Sequence, residues 1–268
     1  MNQEFLIPAA LVGWFVLLAV VETIFTRRDA VREPGGDARL VTNFGLTAIA
    51  IFVGSLLPVA NVGSSVLAER LGIGLTEHAE IPFAAVIALT LLGQTFAGYW
   101  VHRLMHVSPL FWRMHRVHHA DTSVDVSTSL RNHPLEMLIA LPASAAMILL
   151  IGAPPSAVIA TQTIFTATTI WQHADIRLPR WLDRALGVAI FTPRLHRLHH
   201  SPERSVHDSN YGACFILWDW LFGTLNRTEG HGRVGLRDEP IRPHNLFQQI
   251  CAPLYPLAVP PKAKLNPR

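Results

Sequence analysis

The stretch PFAAVIALTLLGQTFAGYWV, residues 82–101, runs without a break into HRLMH, residues 102–106. Residues 82–101 carry no charged side chain, and as a helix they are long enough to cross the roughly 30 Å hydrocarbon core of a bilayer. His102 and His106 follow four residues apart, so on a continuing helix both rings lie on one face, one turn apart. The sequence therefore predicts a membrane helix that ends in two imidazoles at the bilayer surface.

Four further apolar segments accompany this one, at about residues 5–25, 42–60, 135–151 and 155–171. Half of all residues are hydrophobic, 15% are charged, and the mean hydropathy is +0.30. We therefore expect an all-α, polytopic membrane protein with four to five transmembrane helices and a histidine-rich helical cap. The last two segments are short and are joined by Gly152-Ala153-Pro154, which leaves open whether both cross the membrane fully.

Composition excludes several other classes of protein. The formal charge is only +3 and no run of lysine and arginine occurs, so no nucleic-acid partner is expected. The two cysteines, Cys214 and Cys251, form no CxxC motif, which excludes a disulfide framework and a cysteine-based zinc site. No positive region precedes the apolar segment at 5–25, so we predict a retained anchor rather than a cleaved signal peptide.

The charges between the segments predict the topology. Arginines at 27, 28, 32 and 39 follow the first segment, whereas the loop after the second carries three glutamates among residues 69–80. The positive-inside rule places the first loop in the cytoplasm, and the third segment then ends there, at His102. The hairpin of the last two segments would then leave the cytoplasm near Leu135 and return to it near Trp171, and the rest of the chain would stay on that side.

Ten histidines within residues 102–200 fall on that one predicted side, although the topology was assigned without them. They are His102, His106, His115, His118, His119, His133, His173, His196, His199 and His200. Imidazole is a common ligand of iron, copper and zinc, so we expect these ten side chains to be metal ligands. His-Arg-Val-His-His at 115–119 and His-Arg-Leu-His-His at 196–200 are two equivalent elements that could face one another, with His119 turned toward a second ion.

The number of histidines indicates the kind of metal site. Zinc prefers four tetrahedral ligands, whereas ten imidazoles suit two ions with about five nitrogen ligands each. No Glu-x-x-His pair of the soluble di-iron bundles is present, so an all-histidine di-iron centre is the remaining fit. Groups near the clusters are candidates to orient the imidazoles, and they are Asp121, Asp125, Asp175, Asp208 and Asn210.

The same residues resemble the fatty acid hydroxylase/sterol desaturase superfamily of membrane di-iron enzymes, over about residues 90–225. The resemblance is carried by HRLMH (102–106), HRVHH (115–119), SLRNHPLE (129–136), QHAD (172–175), TPRLHRLHHS (192–201), NYG (210–212) and WDWLFGT (218–224). It implies two Fe²⁺ ions, O₂ as co-substrate, a lipid substrate and a separate electron donor of reductase, ferredoxin or cytochrome type. Asp175 stands where the superfamily more often has asparagine.

These observations predict three regions and one activity. Residues 1–81 would form N-terminal membrane helices and loops, 82–225 the catalytic domain, and 226–268 a proline-rich cytoplasmic tail. The expected activity is O₂-dependent hydroxylation or desaturation of a lipid such as a fatty acyl chain or a sterol, with the metal site at the cytoplasmic face. A zinc-dependent membrane hydrolase and a metal transporter are the alternatives, and Glu136 is the one nearby glutamate that a hydrolase could use as its base.

Overall fold

The computed structural model describes residues 6–25, 36–57, 60–229, 232–236 and 239–258. Arginines 27, 28 and 32, on which much of the topology prediction rests, lie outside these residues. The described chain is built from α-helices joined by short 3₁₀ turns, with a single isolated bridge between Ile190 and Phe215. The predicted all-α class is confirmed.

Twelve α-helices occur among the described residues. They are α1 (Leu6–Phe25), α2 (Gly36–Ser55), α3 (Asn61–Leu71), α4 (Phe83–Val107), α5 (Pro109–His119), α6 (Met137–Ile151), α7 (Pro155–His173), α8 (Arg180–Leu186), α9 (Pro193–His199), α10 (Arg204–His207), α11 (Leu217–Leu221) and α12 (Leu246–Ile250).

Four stretches of the described chain, in α1, α2, α4 and α6, are long and apolar enough to cross a membrane. The fifth predicted segment became α7, which has 19 residues but does not meet the same test because threonine and glutamine interrupt it. Its threonine hydroxyls donate to backbone carbonyls within the helix, as Thr163 does to Ile159. Helix α3 was not predicted, and it packs beside α6 and α7.

Several helices reach the same end of the bundle. The Glu22 carboxylate near the end of α1 accepts hydrogen bonds from the backbone N–H groups of Val126 and Asp175, at 3.2 and 3.0 Å. Asp175 directly follows α7, and Val126 lies in the segment between α5 and α6. The C-terminal ends of α1 and α7 therefore meet at one end of the bundle, as a topology with both ends on one side requires.

Helix α2 fixes residues 121–127, which follow the histidines at the end of α5. The Arg39 guanidinium donates to Asp121 at 3.2 Å and also pairs with Asp125. One turn later, the Asn43 amide donates to Asp121 and to the Ser127 hydroxyl at 3.2 and 2.9 Å. Because residues 39 and 43 lie on one helix face, α2 holds residues 121–127 against the bundle.

At the opposite end of the bundle, two glycines allow the turn around residue 74 to lie close to the turn between α6 and α7. Gly74 and Gly152 both have left-handed backbone angles, with φ of 109° and 71°. A Cβ at residue 74 would lie 2.3 Å from the Gly152 nitrogen, so no larger residue fits there. The Thr76 hydroxyl donates to the Gly152 carbonyl at 2.6 Å, which fixes the turn between α6 and α7.

Candidate metal centre

Nine of the ten predicted histidines meet in two groups at the convergent end of the bundle. His102, His106, His115, His119 and His199 form the first group, and His118, His173, His196 and His200 form the second. Within each group, the possible ligand atoms all lie within 4.8 Å of one another. Helix α4 brings two of these residues, α5 three, α7 one, and α9 with its C-cap residue three.

The outer nitrogens of several rings are tied to backbone carbonyls. The Nδ1 atoms of His102, His118 and His173 lie 2.7, 3.0 and 2.7 Å from the carbonyl oxygens of Tyr211, Arg131 and Thr169, respectively. A carbonyl oxygen only accepts, so each of these Nδ1 atoms carries the proton and donates. In a neutral ring the Nε2 atom is then a bare lone pair directed inward.

These lone pairs approach one another closely. The Nε2 atoms of His118 and His173 are 3.2 Å apart, and both rings are tethered through Nδ1, so neither Nε2 atom has a hydrogen to share. Two facing lone pairs repel unless a cation lies between them. With metal–nitrogen bonds of about 2.1 Å, adjacent ligands about 90° apart are separated by about 3 Å, which matches this spacing. The pairs His102–His115 and His173–His196, both 3.0 Å apart, fit it as well.

Other buried nitrogens in the same place have no protein partner. They are His106 Nε2, His119 Nδ1 and Nε2, His196 Nδ1, His199 Nε2 and His200 Nδ1. A buried polar atom without a partner costs free energy, and metal coordination would supply the partner of His106 Nε2, of His199 Nε2 and of one nitrogen of His119. The donor set therefore fits two cations held mainly by neutral imidazoles.

Each of the two HxxHH elements contributes histidines to both groups, and the division differs from the one that we predicted from their spacing. His115 and His119 fall in the first group and His118 in the second, whereas we had expected His119 to be the one that turns toward a second ion. Positions i and i+4 differ by only about 40° around a helix, which keeps His115 and His119 together. The second element repeats the division, with His196 and His200 together and His199 in the other group.

The two elements face one another, as we had predicted. The ring centroids of His118 and His200 are 4.6 Å apart, and those of His119 and His199 are also 4.6 Å apart. Helices α5 and α9 thus form the two sides of the centre.

His133 lies outside both groups, contrary to its predicted place among the ligands. Its Nδ1 accepts from the Leu135 N–H at 3.2 Å, and its Nε2 lies 2.9 Å from the Ile250 carbonyl. Both nitrogens are therefore used in structural contacts: Nδ1 caps the 3₁₀ turn Pro134–Glu136, and Nε2 contacts the segment at Ile250. The imidazole ahead of a proline resembled a ligand in sequence, but it acts as a helix cap.

Most of the predicted orienting groups have other partners. Asp121 and Asp125 bind Arg39, and Asp125 also caps the 3₁₀ turn Val126–Leu130. Although burial opposes its charge, Arg131 and Arg39 lower the pKa of Asp121 below its usual value. Asp175 pairs with Arg197 at 3.2 Å.

Asn210 supports the backbone of the last histidine element. It has a positive φ of 57°, and its amide donates to the carbonyls of Leu195 and Asn226, at 2.9 Å each. Its role is therefore to hold α9, and it acts on the imidazoles only through the backbone.

Asp208 is the predicted orienting group that contacts a ring of the centre. Its Oδ1 lies 3.3 Å from His106 Nδ1, and its Oδ2 accepts from Arg204 at 3.0 Å. Its neighbour His207 was not predicted, yet it is buried, and its ring stacks on Trp112 with centroids 5.4 Å apart. The sequence feature that could have identified His207 is its position, seven residues after His200 and directly before Asp208.

Glu136 also orients a ring. Its Oε2 lies 3.2 Å from His115 Nδ1, and its Oε1 accepts from the His133 N–H at 3.0 Å. We had considered this glutamate only as the base of a hydrolase. Both of its oxygens are engaged within the protein, so the structure assigns it to positioning.

Asp219 fixes the loop that carries the tether of His102. Its carboxylate accepts from the backbone N–H groups of Tyr211 and Gly212, at 2.8 and 2.7 Å, and from the Thr224 hydroxyl at 2.6 Å. Burial raises the pKa of Asp219 to about 6, although these donors oppose the shift. The carbonyl of Tyr211 is thereby positioned to receive the His102 ring.

Burial keeps five imidazoles of the two groups neutral. Desolvation, reinforced by the neighbouring imidazoles, lowers the pKa values of His118, His119, His196, His199 and His200 well below the usual 6.5. A neutral imidazole is the form that binds metals, so these rings are in their ligand form at pH 7.

A cavity of about 340 Å³ leads from the histidines into the helical bundle. His102, His115 and His118 lie at one end, and α4, α6 and α7 supply most of its walls. The surface is mainly apolar, with side chains such as Leu141 and Phe165. Its volume and apolar lining would suit a hydrocarbon group beside these histidines.

Comparison with known proteins agrees with this geometry. The family model described as fatty acid hydroxylase matches residues 87–224, which is just over half of the chain. The chain belongs to the fatty acid hydroxylase family. The matched region contains the two groups of histidines and all the residues that line the cavity except Asn61.

Several curated proteins are similar to this chain. "Ornithine lipid hydroxylase OlsE" of Rhizobium tropici is 26% identical over 230 residues, which cover 84% of this chain and 66% of that protein. "Alkylglycerol monooxygenase" of Homo sapiens is 29% identical over 59% of this chain and 34% of its own length. "Methylsterol monooxygenase 2-2" of Arabidopsis thaliana is 28% identical over 53% of this chain and 52% of its own length.

The chain thus spans between about one third and two thirds of these relatives. No solved structure matches the chain.

Proposed function

We propose that this chain is a membrane-bound lipid oxygenase with a dinuclear iron centre. Nine imidazoles would hold the two ions: His102, His106, His115, His119 and His199 one of them, and His118, His173, His196 and His200 the other. Bound iron would supply the activation of O₂ and the oxidation of an unactivated C–H bond. Family membership and the names of the relatives support this activity.

The observation that carries the proposal is the close approach of tethered nitrogens. His118 and His173 present bare Nε2 lone pairs 3.2 Å apart, and each ring is fixed by a carbonyl at its other nitrogen. Such an arrangement is unfavourable for an empty pocket and favourable for a cation. The carbonyls fix the tautomer and the ring orientation before a metal binds, which is the usual role of groups around metal ligands.

The substrate is proposed to be a membrane lipid whose hydrocarbon group enters the 340 Å³ cavity. The cavity begins at the imidazoles and continues between α4, α6 and α7, so a reacting carbon would lie beside the metals and away from bulk water. Hydroxylation needs one hydrogen abstraction and desaturation two, and we favour hydroxylation. The ornithine lipid hydroxylase and the two monooxygenases named above support a lipid as substrate.

The electrons for O₂ activation are proposed to come from a separate protein, a reductase, a ferredoxin or a cytochrome. The positive-inside rule favours a cytoplasmic position for the histidines, and such a donor would have access to them there. Residues 82–225 remain the proposed catalytic domain, preceded by membrane helices in 1–81 and followed by the tail at 226–268.

Metal analysis of matched variants tests the centre. Wild-type protein, expressed with ample iron and purified in mild detergent, is expected to contain about two irons per chain. His118→Ala and His199→Ala each remove a ligand from a different group, and both are expected to lose iron and lipid oxidation. His78→Ala, at an exposed position, is the control and should keep both.

The product identifies the reaction. Whole-cell lipids incubated with the iron-loaded protein, O₂ and a reductant should yield products heavier by one oxygen, or lighter by two hydrogens for desaturation. Full iron content and oxidation in the His118→Ala variant would refute the proposal. One zinc and no iron after iron-replete expression would instead favour the hydrolase, although Glu136 then lacks a free oxygen.

A further inference from the structure

A second concave site lies on the other side of α9, and it is strongly basic. This pocket of about 290 Å³ is lined by seven arginines and only two acidic residues, Asp183 and Glu229. Five of the arginines are exposed: Arg177, Arg180, Arg184, Arg227 and Arg233. The metal centre does not use any of these side chains.

The acidic residues neutralise little of this charge. Asp183 is buried and is already paired with the Arg194 guanidinium and the Thr192 hydroxyl. Glu229 is exposed. Arg197 pairs with Asp175, so the five exposed guanidinium groups dominate the field at the pocket mouth. Five exposed guanidinium groups around one concave site give it a positive potential that attracts anions.

The pocket lies at the boundary of the membrane-facing helices. The Arg177 N–H donates to the carbonyl of Phe25, the last residue of α1, at 3.5 Å. Arg177 itself comes four residues after the end of α7. Trp181, between two of the pocket arginines, has 70% of its surface exposed, and exposed tryptophan is typical of the headgroup level of a bilayer.

We propose that this pocket binds the phosphate group of an anionic phospholipid. Guanidinium groups bind phosphate oxygens in a planar, bidentate geometry that lysine does not reproduce. The size of the pocket suits a single headgroup, whereas a protein partner would need an interface of about 800 Å² on each side. The exposed Trp181 and the neighbouring Leu178 would contact the upper part of the acyl chains.

A lipid bound in this pocket would also stabilise the position of α9, which with its C-cap residue carries three histidines of the metal centre. Arg194 and Arg197 of α9 face the pocket, while His196 and His199 of the same helix face the metals. A bound headgroup would hold α9 and segment 176–184 together. The proposal concerns binding and is independent of the oxygenase activity.

Lipid binding to the iron-loaded full-length protein tests the proposal. Purified protein in detergent is titrated with phosphatidylglycerol or with phosphatidylcholine of the same acyl chains, and retained lipid is counted by native mass spectrometry. One tightly retained phosphatidylglycerol, bound at least tenfold more tightly than phosphatidylcholine, is expected. Equal retention of the two lipids would overturn the proposal.

Charge-matched variants locate the site. Arg180→Gln/Arg184→Gln should weaken phosphatidylglycerol binding at least tenfold, and Arg180→Lys/Arg184→Lys, which keeps the charge, should weaken it by a smaller factor. The control Arg70→Gln/Arg242→Gln removes two exposed arginines elsewhere and should bind as the wild type does. Unchanged binding in both variants at 180 and 184 would overturn the proposal.

Competition with soluble anions distinguishes a lipid headgroup from a free phosphate as the ligand of this pocket. Glycerol 3-phosphate and inorganic phosphate, added at the same concentration, should compete at least 100-fold less well than the lipid. Equal competition would show a site for a soluble phosphate and would overturn the lipid assignment. If only an acidic electron-carrier protein displaced phosphatidylglycerol, the pocket would be a protein-docking surface. That result would also overturn the lipid assignment.

Discussion

Replacing Arg116 with methionine should destabilise the protein strongly, although this residue contacts no metal ligand through its guanidinium. Arg116 is fully buried in α5 and pairs with Glu239. It also donates to the carbonyls of Ala252, Tyr255 and Pro256, at 2.6, 2.9 and 2.8 Å. Arg116 thus ties the described C-terminal segment to α5, the helix of the first HxxHH element.

The magnitude follows from these contacts. Breaking a buried ion pair by removing one partner costs about 3–5 kcal/mol, because the remaining charge is left uncompensated. For a chain of this size, each kcal/mol lowers the midpoint of thermal unfolding by about 2–4 °C. Arg116→Met should therefore lower it by about 6–20 °C.

Arg113→Met is the matched control. Arg113 lies one turn earlier in α5, is only half-buried, and donates to the carbonyls of Pro253 and Tyr255 at 3.1 and 2.8 Å. It has no carboxylate partner among the described contacts, so its loss should cost about 1–2 kcal/mol. Adding Glu239→Leu to Arg116→Met should recover part of the stability, since it removes the unpaired carboxylate.

The assay is thermal unfolding in detergent, followed by circular dichroism after iron has been removed with a chelator. Removing iron is necessary because bound metal would stabilise each variant by mass action. If Arg116→Met is no less stable than Arg113→Met, the ion pair does not hold the C-terminal segment and the reasoning is refuted.

Three further predictions concern other contacts. Glu22→Leu should lower stability by about 2–4 kcal/mol in thermal unfolding, because two buried N–H groups lose their acceptor, and Glu22→Gln should cost less; equal losses would contradict this. Asp208→Ala should weaken iron binding about 10- to 100-fold in competition with a chelator, whereas Asp125→Ala, which removes a partner of Arg39, should not. Burial raises the pKa of Cys214 to about 11, so a thiol reagent at pH 8 should modify only the half-buried Cys251 in the folded protein, and Cys251→Ser should abolish that reaction.

The three arginines that follow box histidines show how context changes a sequence-based interpretation. From the sequence alone, Arg103, Arg116 and Arg197, each directly after one of the clustered histidines, could attract an acidic electron carrier or lipid headgroups. The structure buries Arg103 and Arg116 and pairs Arg197 with Asp175. A group of exposed arginines lies instead at 177–184 and 227–233, where no motif marked it.

The apolar helices and the histidine boxes could be predicted from the sequence because both are local patterns. A run of apolar residues about 20 long specifies a membrane helix, and histidines four apart on such a helix share a face. The first rule predicted α1, α4 and α6 and with them the all-α class, and the second placed His102 and His106 on one face of α4.

What the tertiary structure decided was the partner of each polar group. His133 became a helix cap, Glu136 turned toward His115, and His207 joined Asp208 beside His106, because chain segments far apart in sequence meet there. The division of each HxxHH element between the two groups likewise depends on how α5 and α9 face one another. Helix periodicity fixes the direction of a side chain, but only the packing of the helices determines what that side chain contacts.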